Sequence, residues 1–449
     1  TAKSEFNITG GTFTAPVDKA YLAEGVEIKN NVDGTYGAVK SETKNVAEVG
    51  GTGYPTLAEA IAAANGNGTV TLLTATTKLI QELLDGQHGS IDGLTIELPT
   101  GDYGQLELGR ATKYAGSNTE YFVGGFDSTA TNYKAFANAD KIREYKGQSA
   151  WTPSCYYRRA LNNVTIKAAD GATVTIEKIS ADAGQIYGKA GAPKYDYVLD
   201  VEIPDTNKSY YMALAWNNVT FEGINFKSSV NIESSSEKTL IDGLHFEKCN
   251  FNSGYTALHA ANDANATSKG MGIRFVSWTK TTNNLRNLTV NNCTFEDCSE
   301  GVYTNPVYGV SVTNSSFENI NHNAVAIQDV DSAVNHGNVV ISGNTFTNVS
   351  DRIIRFNNAG KDTTITITGN TSVNSGDSDG EIIKATTMPD SVNINMTSNT
   401  WGNVNGKTAV LGNGFKPTAS AAVATVGGAE YATLAEAIAA ATDGSTVKL

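Results

Sequence analysis

A short trio recurs along the second half of the chain and leaves few folds open. It reads Ile224-Asn-Phe226, Cys249-Asn-Phe251, Cys293-Thr-Phe295, Ser315-Ser-Phe317, Asn344-Thr-Phe346, Asn370-Thr-Ser372 and Asn399-Thr-Trp401, at spacings of 25, 44, 22, 29, 26 and 29 residues. Most trios follow a stretch that alternates apolar and polar residues, such as Leu288-Thr-Val290, Val310-Ser-Val312 and Ile365-Thr-Ile367. Strict alternation marks a half-buried strand. A strand, a small polar residue at a bend and an inward aromatic, repeated at these intervals, describe one coil of a β-solenoid.

Stacking accounts for the residue types. A polar side chain at the same bend of each coil can hydrogen-bond to the copies above and below. A Phe at the next inward position stacks on its neighbours and buries a large apolar area. Cys249 and Cys293 fall in one column. They are either a pair of small buried hydrophobes or a disulfide, which the roughly 4.8 Å between stacked strands permits. The 44-residue interval marks a coil with an insertion, placed near 261–284.

A longer repeat frames the coils. Tyr54-Pro-Thr-Leu-Ala-Glu-Ala-Ile-Ala-Ala-Ala-Asn65 returns as Tyr431-Ala-Thr-Leu-Ala-Glu-Ala-Ile-Ala-Ala-Ala-Thr442. Thr56 with Glu59, and Thr433 with Glu436, form capping boxes. Leu57, Ala60, Ile61 and Ala64 give one apolar stripe. So short a helix is marginal alone, and the open end of a strand stack is its natural partner. Phe6–Phe13 reads as the last turn of a preceding coil, and Asn31-Val-Asp-Gly-Thr-Tyr36 as a hairpin. The expected organisation is a tail and linker of a preceding module over 1–42, a β-helix module over 43–424, and the start of a following module over 425–449. Within the module a capping helix falls near 56–65, Tyr-rich loops over 103–216 and regular coils over 217–415.

The trios, alternating strands and capping helix resemble the right-handed parallel β-helix, or pectin-lyase-like, superfamily. The linkers Gly10-Gly-Thr-Phe-Thr-Ala-Pro-Val-Asp18 and Tyr54–Ile61 look like those of large repeat-bearing surface proteins of anaerobic gut-type bacteria. The resemblance implies an all-β solenoid that is secreted or held at a cell surface, next to further modules of the same polypeptide. It also makes polysaccharide cleavage the first activity to test. Pectin hydrolases of this fold carry an Asn-Thr-Asp motif, an Asp-Asp pair, a Gly-His-Gly and an Arg-Ile-Lys. None is intact here, and Gln87-His-Gly89 and Asn335-His-Gly337 echo only part of the histidine motif. The Arg-x-Pro-x-x-Arg of pectate lyases is also absent. Asp377-Ser-Asp-Gly-Glu381 reads as an acidic exposed turn or as a loose calcium site, and no other cofactor is implied. No residue is assigned a catalytic role. Asp329 and Asp331 are the best-placed carboxylates for an acid/base pair.

Two groups of residues are candidates for ligand binding. If Leu258 and Ala260, Val302, Val325 and Ile327, Ile354 and Phe356, and Ile383 point inward, then His259, Tyr303, Gln328, Arg355 and Lys384 form an outward column. Such a face holds an oligosaccharide by hydrogen bonds and ring stacking, or it is the polar exterior of any exposed strand. The second group is Trp151 with Tyr156, Tyr157, Arg158 and Arg159, joined by Arg274, Trp278 and Lys280 of the insertion. Aromatics beside cations suit sugars or acidic sugars; alternatively the Tyr rings cover the flank of the coil.

Charge narrows the partners. The chain has 33 basic and 46 acidic residues, a net charge of −13, which argues against a nucleic-acid backbone as the main partner. No apolar run is long enough to cross a membrane. The expectation is a non-catalytic, adhesin-like surface module that binds polysaccharide or glycoprotein glycan and acts as a rigid spacer. The alternative is a polysaccharide lyase or glycoside hydrolase acting on acidic polysaccharide.

Overall fold

A computed structural model describes residues 8–18, 21–23, 26–40, 44–84, 91–108, 112–113, 120–121, 156–157, 160–183, 186–187, 195–196, 201–202, 210–212, 215–234, 240–277, 285–328, 335–358, 360–412, 415, 417, 424–426, 429–431, 434, 437–438, 441–442 and 444–448. Each coil passes through three parallel sheets in turn. Sheet 1 stacks long strands from Thr69–Leu72 and Thr95–Leu98 to Thr364–Thr368 and Asn393–Thr397. Sheet 2 holds the trios, and sheet 3 runs from Gln105–Leu108 to Val410–Leu411. Stacked strands pair in parallel coil after coil, so the fold is the parallel β-helix that the trios predict.

The inward columns are those expected. Phe226, Phe251, Phe295, Phe317 and Phe346 stack with ring centroids 4.9, 4.6, 4.6 and 5.1 Å apart. Room for them comes partly from Gly272 and Gly301, where a Cβ would lie 2.7 and 2.6 Å from the Phe295 and Phe317 rings. The bend before the trio carries a ladder. Ser315 N donates to Asn344 Oδ1 (2.9 Å), Asn344 N to Asn370 Oδ1 (3.0 Å) and Asn370 N to Asn399 Oδ1 (3.0 Å). In the same column Cys249 and Cys293 are free thiols; their S–H groups donate to the carbonyls of Phe221 and Asn291. They therefore behave as small buried side chains.

Regular coils start earlier than the trios. Val174–Ile176 pairs in register with Ile224–Phe226, and Gly101–Asp102 pairs with Val174 and Thr175. Residues 160–183, and Gln105–Leu108 before them, thus belong to coils within the 103–216 stretch expected to be loops. The insertion also starts earlier than expected. Helices α3 (Tyr255–Ala260) and α4 (Ala266–Lys269) follow the Cys249 trio directly, and the sheet 3 strand comes only at Ile273–Ser277.

Helix α1 (Leu57–Ala64) sits where the repeat places it, against the antiparallel strands Ala47–Val49 and Thr52–Tyr54 that extend sheet 1. Leu57 and Ala60 are buried, with Ile61 and Ala64 packed on the core. Thr56 Oγ1 accepts from Glu59 N. Thr56→Ala should cost about 1 kcal/mol of local stability, read as faster amide exchange in α1 with the later coils unchanged. A second capping helix, α2 (Thr77–Leu84), buries Ile80, Leu83 and Leu84 and packs on Gln105–Leu108.

The flanking segments form small antiparallel sheets. Gly11–Phe13, expected as the end of a preceding coil, instead pairs antiparallel with Tyr36–Lys40, whose other partner is Val26–Asn30 of the predicted hairpin. Ala424–Val426 pairs antiparallel with Ala429–Tyr431 and Val447–Lys448, repeating the arrangement around α1. Thr433 and Glu436 lie outside the described residues.

Candidate functional site

The outer face of sheet 3 gathers the most chemistry. Its register aligns Asn231, Arg274, Tyr303, Ala326, Arg355 and Lys384 in one outward column. Tyr303, Arg355 and Lys384 stand there as predicted. Arg274, assigned from sequence to the insertion, is in fact the member of this column on the coil below Tyr303. His259 is not in the column: with Leu258 and Ala260 it lies on α3, where its ring is 5.6 Å from that of Tyr255. Gln328 follows the strand Val325–Ile327, and Ala326 takes the column position instead. Ala326, the small residue between Tyr303 and Arg355, is fully buried.

A second row heads the strands of sheet 3. Glu300, Asn323 and Arg352 each precede the first strand residue by two positions, and Glu381, itself the first residue of Glu381–Ala385, stands two before Ile383, the register partner of Ile354. The double inward pairs Ala324-Val325, Ile353-Ile354 and Ile382-Ile383 sit at that corner and turn the row onto the outer surface. Glu300 is buried, and Asn323 Nδ2 donates to its Oε1 at 3.0 Å. Burial pushes the Glu300 carboxyl up to about 7, while the Asn323 bond and the nearby Arg355 and Arg274 charges act the other way. Burial also raises the Tyr303 phenol. Arg274 Nη1 donates to Asn231 Oδ1 at 2.9 Å and forms an ion pair with Glu233.

Buried polar atoms without a hydrogen-bond partner concentrate here. Glu300 Oε2, Asn305 Oδ1, Asn323 Oδ1 and Arg355 Nε all belong to this face. Buried polar groups are ordinarily satisfied, so these exceptions set the face apart from the regular coils. Sequence reasoning missed Glu300, Asn305 and Asn323. Extending the register two residues upstream of Val302 and Val325 would have found Glu300 and Asn323.

The other candidates separate. Trp151, Arg158, Arg159, Trp278 and Lys280 lie outside the described residues, as do Asp329, Asp331 and Gln87-His-Gly89. Tyr156 and Tyr157 form a short strand paired in parallel with Tyr211 and Met212, and their side chains are not among those described. His336 is a core residue, buried, with Nδ1 3.1 Å from Val307 O. In the acidic turn, Asp377 Oδ1 accepts from the Asp379 and Glu381 amides at 2.9 Å. Its Oδ2 and Glu381 Oε2 receive Arg352 Nη2 at 2.7 and 2.8 Å, and Asp351 pairs with the same guanidinium. The turn is thus organised around an arginine. Among the described residues no three His, Cys, Asp or Glu side chains converge as a metal site.

No family model, curated protein or solved structure matches the chain. Its chemistry must be read from its own residues.

Proposed function

We propose that this chain is a non-catalytic, cell-surface module of the pectin-lyase-like kind that binds glycan on sheet 3 and serves as a stiff spacer between neighbouring modules. The observation that carries the binding reading is the register that stacks Arg274, Tyr303, Arg355 and Lys384 in one column on the outer face of sheet 3, with the Glu300–Asn323 pair beside it. Saccharide hydroxyls donate and accept equally, and they suit a face that mixes carboxyl and amide oxygens with a guanidinium N–H. A Tyr ring beside them offers a stacking surface. The spacer reading draws on the second helix copy. Leu434 and Ile438 are 42% and 59% exposed, whereas their counterpart Leu57 is 2% exposed beneath the coil and Ile61 packs on the core. An exposed apolar stripe of that pattern suits a further coil.

Arg355→Ala and Tyr303→Ala should each weaken binding of the best ligand from a broad glycan array by roughly tenfold, the scale of one lost charged hydrogen bond or stacked ring. Parent-like affinities in both variants would sink the sheet 3 assignment. No binding across the array would leave only the spacer.

One observation favours the alternative, a polysaccharide lyase or glycoside hydrolase. Glu300, with its carboxyl near 7, is suited to exchange a proton at neutral pH. Release of new reducing or unsaturated ends from polysaccharide by the purified protein would establish that reading and overturn the non-catalytic one.

A further inference from the structure

We infer that a second site, for uncharged saccharide chains, lies in the groove along the turn between sheets 2 and 3. It rests on the reading of the module as a saccharide binder, and it uses none of the sheet 3 residues. The groove has a volume of about 420 Å³, and among the described residues no charged side chain lines it. Asn319, Asn348, Asn374 and Asn405 line it on successive coils, with Tyr255 and Thr256 of α3 also on its wall.

The four asparagines have φ of 54°, 54°, 48° and 49°. Asparagine tolerates that left-handed backbone, which by itself explains its presence in a turn. The hydrogen bonding goes further. Asn348 Nδ2 donates to Asn319 Oδ1, and Asn374 Nδ2 to Asn348 Oδ1, each at 3.2 Å; Asn405 N donates to Asn374 Oδ1 at 3.1 Å. An amide has two N–H donors and two acceptor positions. The ladder uses one of each on Asn348 and Asn374, fixes the side-chain planes, and leaves the second donor and acceptor for a ligand. All four residues are solvent-exposed.

Asn321 and Ser350 extend the polar lining beside the ladder. Neither has a left-handed backbone that would call for its residue type. Stacked strands repeat at about 4.8 Å, close to the advance of one hexose in an extended β-linked chain. A chain along the coil axis therefore meets an equivalent amide at each sugar, with preset geometry. A peptide fits less well, since the lining offers only the largely buried Val349 and Tyr255 as apolar contacts.

The test is calorimetric titration of the full chain with cellohexaose, xylohexaose, mannohexaose and laminarihexaose. At least one should bind, and Ser350→Trp, which fills the groove without replacing a ladder residue, should weaken it tenfold or more. Asn374→Ala should do the same, while Arg355→Ala leaves this affinity unchanged. The inference fails if none of the four binds, if Ser350→Trp has no effect, or if a peptide library is retained in the groove in their place. Loss in Arg355→Ala alone would assign the sugar to sheet 3, overturning the groove and upholding the other site.

Discussion

Phe317→Ala is expected to destabilise the coils by roughly 3–5 kcal/mol, the range for a large aromatic removed from a packed core. Phe317 is 1% exposed and lies between Phe295, nearly parallel at 2°, and Phe346, tilted by 20°. Truncation leaves a void that neighbours cannot close, because each ring is fixed by its own coil's strands in sheet 2. Gly301 already sits against the ring and has no side chain to move in. Phe346 provides an internal comparison. It is equally buried, but its sheet 2 partner on the next coil is Ser372, so it stacks on one ring rather than two. Phe346→Ala should cost about 1 kcal/mol less, the contribution of one aromatic pair beyond area burial. Urea unfolding of the two variants against the parent measures both quantities. A solenoid can unfold in parts, so probes in early and late coils should be compared. Equal losses in the two variants would show that apolar area, not ring stacking, holds the column.

The solenoid was legible in the sequence because one column is chemically conspicuous. Phenylalanines at regular intervals, each behind a small polar residue, announce both the coil and its register. Where the column changes residue the signal fails. Val174-Thr-Ile176 performs the same task as Ile224-Asn-Phe226 but looks like any short apolar alternation, so the coil of residues 160–183 was hidden among tyrosines. The site was half legible. Tyr303, Arg355 and Lys384 followed from the register, whereas Arg274 was displaced by the assumption that a strand begins soon after every trio. Thr256-Ala-Leu-His-Ala260 imitates an inward–outward alternation, but it is itself helical, and a second short helix separates it from the true strand at Ile273. Glu300 was the harder omission. Its importance comes from burial and from neighbours on other coils, Asn323 and Arg355, which lie 23 and 55 positions away in sequence.

Glu300 should also make folding depend on pH. Its carboxyl is raised in the folded protein to about 7 from an ordinary 4.5, chiefly by burial. Below pH 4 the group is protonated in both folded and unfolded chains and has no effect on the balance. As pH rises through the ordinary carboxylate range, the unfolded chain releases the proton while the folded one keeps it. Stability therefore falls until the folded carboxyl itself ionises near 7, and it levels off above. A shift of this size corresponds to something on the order of 3 kcal/mol between the two plateaus. Glu300→Gln keeps the oxygen that accepts from Asn323 and removes the titration. Its stability relative to the parent should therefore improve by that amount between pH 4 and pH 8, whatever fixed cost the new amide adds. Charged groups remote from Glu300 are common to both proteins and cancel in the difference. Urea midpoints for parent and variant at several pH values decide the matter. Parallel curves would mean that Arg274 and Arg355 compensate the buried charge fully, leaving Glu300 ionised across the neutral range as a fixed acceptor for ligand hydroxyls. Converging curves at low pH with the variant ahead above 7 would establish a carboxyl that holds or releases a proton where a saccharide would lie.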